Sequence, residues 1–217
     1  LQTDWIDLYQ IHRPQSDIPI DETLRALDDL VHGGKIRYFG TSNFAAWKIV
    51  ESLWAAKEYG LNRFVSEQAP YNLLERRVER EVAPMALTYD LALMAWSPLA
   101  GGFLTGKYRR GEPPPAGARI REGSHSARQS FTDKNFAVVE TVARLAHQRG
   151  CTASQLALAW CMSQPGIACP IIGPQTAQQL EDNLGAPDVK VTKEDLRRLD
   201  DVAPPGSALV PLYESVQ

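Results

Sequence analysis

What most constrains this chain is a recurring order along it: a short apolar run, a polar or glycine-containing tip, then a stretch with helical spacing. Strands that read this way pair in parallel, because the crossover helix between them rules out a tight hairpin return. Five such runs are legible, over residues 5–12, 35–43, 64–68, 91–96 and 167–173. The first is halted by Arg13-Pro14. The helix that follows opens at Asp21 and Glu22, carries Leu24, Leu27, Leu30 and Val31 on one face and ends at Gly33-Gly34. Further helices are predicted over 45–59, with Asn43 or a neighbour as its cap and Gly60 as its stop, and over 77–89, with Pro84 as an internal irregularity. Others follow over 135–148, 153–163 and 177–184. A final helix begins at Thr192-Lys193-Glu194-Asp195, a capping box with its acid read one position late, and runs to Val202. Trp160 is assigned to the core and the tail 204–217 to the surface.

Composition narrows the function. With 217 residues, 44% of them hydrophobic, the chain can bury one sizeable core. A net charge of -3 argues against nucleic acid as a partner. Cys151, Cys161 and Cys169 form neither an even set nor a paired spacing, so a reducing cytoplasm is expected, without disulfides or structural zinc. The apolar runs are too short to span a membrane and the first residues carry no basic-then-apolar signal, so no membrane role is expected. The chain begins with Leu, and the expectation is that the natural protein is longer.

Chemistry-bearing residues collect at the strand ends: His12, Ser42, Asn43, Gln68, Trp96 and Gly173. Turn and cap chemistry accounts for each singly but not for the recurrence. After Trp96, the run Ser97-Pro98-Leu99-Ala100-Gly101-Gly102 leads to Lys107, combining a flat ring, room for close backbone approach and one positive charge suited to an anion. The polar stretch 108–132 carries Arg109, Arg110, Arg119, Arg121 and Arg128 and is expected to be a lid over an anionic ligand. Gly173 precedes a helix whose N-terminus suits phosphate. No G-x-G-x-x-G fingerprint announces a doubly wound sheet, whereas a (β/α)8 TIM barrel puts its chemistry at strand C-termini. The barrel is expected, although it needs eight strands and roughly 250 residues.

The run 3–14 (TDWIDLYQIHRP), the turn Gly40-Thr41-Ser42-Asn43-Phe44, Glu67-Gln68, Trp96-Ser97-Pro98-Leu99 and the segment 173–183 together resemble the aldo-keto reductase superfamily, most closely its bacterial branch akin to potassium-channel β-subunits. The resemblance covers nearly the whole chain and implies one barrel domain over 1–217, spanning about strands four to eight, with the N-terminal strands missing. It implies an oxidoreductase that uses NADP(H), or NAD, to reduce an aldehyde or ketone substrate. His12 would orient the carbonyl, Trp96 would stack on the nicotinamide, and Ser42, Asn43 and Gln68 would hold its carboxamide. Ser97, Pro98, Leu99, Ala100, Gly101 and Lys107, with Arg119 closing over, would line the pyrophosphate path. Gly173, Gln175, Gln179, Asp182 and Asn183 would hold the adenosine end. The family's tyrosine, lysine and aspartate are not matched here by Tyr9, Tyr38 or Tyr71. Many relatives carry arginine where Gln175 stands, and arginine suits a 2′-phosphate better. Two other roles stay open: a cofactor-binding, redox-sensing regulatory subunit, and an inactive barrel fragment. Oligomeric state is not readable. Metal hydrolases are disfavoured by the lack of His-x-His or clustered carboxylates.

Overall fold

Alternation becomes a sheet because each apolar strand finds its next neighbour in sequence. The computed structural model describes residues 2–15, 17–120, 123–124 and 130–209. Its strands are β1 (Ile6–Ile11), β2 (Ile36–Ser42), β3 (Ser66–Pro70), β4 (Ala92–Trp96) and β5 (Ile167–Pro170). They form one sheet in the order β1-β2-β3-β4-β5 with every neighbouring pair parallel. A doubly wound sheet reverses its order partway; this one does not, so it winds in one direction as the arc of a barrel does.

The intervening helices are α1 (Ile20–His32), α2 (Ala46–Tyr59), α3 (Val82–Tyr89), α4 (Asp133–Arg149), α5 (Ala153–Met162), α6 (Ala177–Leu184) and α7 (Lys193–Val202). In α1, Asp21 and Glu22 lie in the first turn and His32 in the last, matching the helix dipole. Leu24 and Leu27 are buried, while Leu30 at the outer edge of the expected stripe is exposed. α1, α2, α3 and β2 share one apolar cluster around Phe39, Ile49 and Phe64. A second cluster joins β4 to α4 and α5 through Leu93, Val142, Leu156 and Trp160.

Several expectations are corrected. The span 77–89 is not one helix: a 3-10 turn over Arg77–Glu79 ends before α3 begins. Pro84 is then the third residue of α3, where its missing N–H costs no intrahelical bond. Asp195 sits at the third position of α7, not late, and completes a reciprocal capping box with Thr192. In β5, Ala168 and Cys169 are exposed, since pairing on one side only leaves it at the edge. The stretch after Gly106 is not a free lid where it is described. Tyr108, Ala118 and Ile120 are buried, the Tyr108 ring stacks on Phe103 at 5.6 Å, and its hydroxyl accepts from the Ile120 N–H at 3.0 Å. Arg110 pairs with Asp133 and Glu140 of α4, which leaves Arg119 to face the site; Arg121 and Arg128 lie outside the described residues. Residues 204–209 are tied down rather than loose: Arg76 N–H donates to the Ser207 carbonyl at 2.8 Å and Leu209 N–H to the Leu74 carbonyl at 2.9 Å.

Gly40 sits where β2 crosses closest to β3. A Cβ there would lie 2.0 Å from Ser66 Oγ and 2.9 Å from the Ser66 carbonyl oxygen. Gly40→Ala is therefore expected to cost about 1–3 kcal/mol of stability by overpacking against backbone, read as a lowered urea midpoint. An unshifted midpoint would show that β2 and β3 part freely.

Candidate functional site

The C-terminal ends of the strands converge through one side chain. Asn43 takes a left-handed conformation at φ 61°, a position that among residues with a Cβ asparagine tolerates best because its short amide can hydrogen-bond locally. Its Nδ2 donates to Ser42 Oγ at 2.9 Å and to the His12 carbonyl at 3.4 Å, while its Oδ1 accepts from Trp96 Nε1 at 3.1 Å. Its N–H donates to the Gln68 carbonyl at 3.0 Å, and Ser42 Oγ donates to the same oxygen at 3.0 Å. The tips of β1, β2, β3 and β4 are thereby joined. This corrects the expected helix cap: α2 is capped by Ala45 with no side-chain bond, because the Asn43 amide is engaged across the strand ends. Gln68 Nε2 donates to Gln10 Oε1 at 2.6 Å, which fixes its amide by tying β3 to β1 across β2.

Beyond Trp96 the chain turns left-handed at Ser97, Ala100, Gly101 and Gly102 before the 3-10 segment Ala100–Thr105 closes at Gly106. Only glycine takes φ of 66° and 90° at two successive positions without strain. The same two residues carry no side chain to fill the space beside them. Lys107 uses that space: a Cβ on Gly102 would lie 2.8 Å from Lys107 Nζ, and the ammonium also lies 5.3 Å from the Tyr108 ring centroid. A cleft of about 510 Å³ opens here, bounded by Trp96, Ser97, Pro98, Leu99, Gly101, Lys107 and Arg119 on one side. Gly173, Gln175, Gln179, Asp182 and Asn183 bound it on the other. Ala100 belongs to the wall-forming turn without lining the space itself.

The far wall is preorganised. Thr176 caps α6 by accepting from the Gln179 N–H, and Gln179 Oε1 accepts from the Gln175 N–H at 2.8 Å. Asp182 Oδ2 accepts from Thr152 Oγ1 at 3.1 Å, and the Asp182 carbonyl accepts from Gln155 Nε2 at 2.9 Å, so α5 buttresses the site. Two cations against one anion, beside a helix N-terminus, suit a ligand with negative charge at its middle and a polar ring at one end. Trp96 suits a flat ring at the other end. This donor set fits a dinucleotide cofactor.

His12 is not brought into that cleft. It is exposed and lines a separate one of about 810 Å³ with Gln10, Arg13, Phe44 and Trp47. Only its main chain reaches the Asn43 hub. Tyr71 is buried, and its hydroxyl donates to Glu79 Oε1 at 2.6 Å; burial and the adjacent carboxylate push its ionisation far up, which makes it a structural group. Among the described residues no three His, Cys, Asp or Glu gather as a metal site, and no helix is long and apolar enough to cross a membrane.

Sequence reasoning missed Glu67 as a group of the site. Its side chain is fully buried between β2 and β3, and burial pushes its carboxyl up to about 8 despite bonds from the Thr41 hydroxyl and the Phe44 and Asn43 N–H groups. The signal was a charged side chain in the middle of a predicted strand. Ser154, which lines the cleft from α5, offered none.

A parallel sheet wound in sequence order, with a cleft at its C-terminal strand ends, defines a barrel-type α/β protein. The chain belongs to the aldo/keto reductase family, whose model matches residues 1–204. It is 39% identical over 98% of its length to the "Uncharacterized oxidoreductase YrpG" of Bacillus subtilis (strain 168), of which it covers 63%. It is 36% identical over 87% of its length to a "Probable voltage-gated potassium channel subunit beta" of Oryza sativa subsp. japonica, covering 58% of that protein. It is 34% identical over 91% of its length to the versiconal hemiacetal acetate reductase of Aspergillus parasiticus, covering 57%. The chain thus spans less than two thirds of these curated relatives.

Proposed function

We propose that this chain is the cofactor-binding portion, about strands four to eight, of a (β/α)8-barrel oxidoreductase that uses NADP(H) to reduce aldehydes or ketones in the cytoplasm. The observation that carries the reading is the cleft beside Trp96, where Lys107 and Arg119 face α6 across a glycine turn. When bound, the cofactor supplies a hydride for a carbonyl carbon. The protein's part is positioning, which can account for several kcal/mol of a barrier. Trp96 gives a stacking face for the nicotinamide and Ser42, Asn43 and Gln68 give its carboxamide donors and acceptors. Lys107, Arg119 and the turn from Ser97 through Gly101 hold the pyrophosphate. Gly173, Gln175, Gln179, Asp182 and Asn183 take the adenosine end, while His12, whose side chain lines the neighbouring cleft, is left out of this set. The three named relatives include an oxidoreductase and a reductase, which supports the reaction class.

The test is equilibrium titration of the purified protein with NADPH and NADH, followed by aldehyde-dependent oxidation of whichever binds. Saturable binding with turnover supports the reading; a folded protein that binds neither contradicts it. Binding without turnover in a protein that also carries the family's tyrosine, lysine and aspartate would favour the alternative role of a redox-sensing regulatory subunit, which the potassium-channel β-subunit relatives support.

Cofactor choice turns on Gln175. Its side chain is exposed at the mouth of the α6 turn and carries no charge for a 2′-phosphate. Gln175→Arg is expected to shift the ratio of NADPH to NADH affinity about tenfold toward NADPH, as a charge-assisted hydrogen bond would. An unchanged ratio of dissociation constants would place the 2′-phosphate elsewhere.

A further inference from the structure

The turn at residues 42–44 needs something to hold it, because its central residue is left-handed and the Phe44 N–H faces the protein interior. Asn43 at φ 61° lies in the left-handed region, which an asparagine enters when its amide finds local partners, as it does here with Ser42, His12 and Trp96. Phe44, next to it, is buried against Phe64 with ring centroids 6.2 Å apart, so water cannot satisfy its N–H. Glu67 supplies the acceptor. Its Oε1 accepts from the Phe44 N–H at 3.2 Å and its Oε2 from Thr41 Oγ1 at 2.5 Å, bracketing the turn on both sides. Burying a carboxyl here is unfavourable in itself. A hydrophobe would fill the space against Leu93 and Phe44 but leave the Phe44 N–H an orphan.

We propose that Glu67 is a positioning residue for the nicotinamide end of the cofactor, its buried carboxyl holding the Ser42-Asn43-Phe44 turn so that Asn43 stays locked between the strand tips and Trp96. This inference rests on the reading of the Trp96 cleft as a nicotinamide dinucleotide site. Glu67 touches neither cofactor nor substrate; it acts through the turn. The consequence is selective, because the pyrophosphate and adenosine walls are built from residues 97–107 and 173–183, far along the chain from the turn.

The experiment compares two ligands in the full chain: NADPH, and 2′-phospho-ADP-ribose, which shares everything but the nicotinamide. Glu67→Ala is expected to weaken NADPH about tenfold, equivalent to about 1.4 kcal/mol, while the fragment stays within about twofold of wild type. Glu67→Gln, isosteric and still an acceptor for the Phe44 N–H, is expected to recover most of the loss. Thr41→Val, which removes the hydroxyl's bonds to Glu67 and to the Ser66 carbonyl but leaves the Phe44 bond, is expected to weaken NADPH about threefold and the fragment not at all; it keeps the comparison in force should Glu67→Ala fail to fold. Equal losses for both ligands in these variants would make Glu67 a general structural group and overturn the proposal. Undiminished NADPH binding by folded Glu67→Ala would overturn it too. A wild-type protein that binds neither ligand overturns the parent reading, whereas one that binds both while the variants lose both equally overturns this inference alone.

Discussion

Replacing Arg76 with alanine is expected to cost about 1.5–3 kcal/mol of folding stability, because it removes a buried guanidinium and leaves the half-buried Glu79 and the Ala203 carbonyl without their charged donor. Arg76 follows β3 and its side chain is 3% exposed. Its Nε donates to Glu79 Oε1 at 2.7 Å, and its Nη1 donates to Asp200 Oδ1 at 2.7 Å and to the Ala203 carbonyl. Its guanidinium also lies 5.1 Å from the ring centroid of Trp160, the largest fully buried side chain. One residue thus joins the loop after β3, the end of α7 and the core. Glu79 itself holds the Tyr71 hydroxyl and the Gly206 N–H, so its loss of a partner spreads to the tail. Urea unfolding followed by circular dichroism would read the change. A loss under about 1 kcal/mol would mean that these bonds merely replace hydration.

The second large effect concerns function. In the active protein, Trp96→Ala is expected to slow single-turnover hydride transfer about 10- to 100-fold, the scale on which misplacing a reacting group acts. The indole does two jobs: it offers a face to the nicotinamide, and its Nε1 donor fixes the Asn43 amide at 3.1 Å. Trp96→Phe separates them by keeping a face and losing the donor, so an intermediate rate is expected. An unchanged single-turnover rate in Trp96→Ala would remove Trp96 from the site.

Much of this fold was legible because local rules decided it. Apolar runs gave the five strands, and glycines 33, 60 and 150 stop α1, α2 and α4 where the sequence breaks pattern. What stayed hidden was set by distant partners. The break before α3 follows from Arg76 and Glu79 turning toward residues 200–207, contacts more than 120 residues away in sequence. The buried Tyr108, Ala118 and Ile120 stand among prolines, glycines and arginines, and no periodicity marks them as core.

The site divided in the same way. The glycine turn and Lys107 were readable, since close approach and charge are local properties, and the family resemblance supplied the order of the rest. The Asn43 hub was misread as a helix cap, because the same amide can serve either end and only the strand register decides. His12 was grouped with Trp96 by its position at a strand end, whereas its ring opens into the neighbouring cleft. Glu67 was visible as a residue but not as a brace, because its partners Thr41 and Phe44 lie 26 and 23 residues away.

The central claim is that the cleft beside Trp96 takes a nicotinamide dinucleotide. Fluorescence titration of the folded protein with NADPH, competed by 2′-phospho-ADP-ribose and repeated on Trp96→Ala, tests it most directly. The account predicts saturable binding, full competition by the fragment and a marked weakening in the variant for NADPH but not for the fragment. A folded wild-type protein with no saturable response, or a variant that binds NADPH as tightly as wild type, would contradict it.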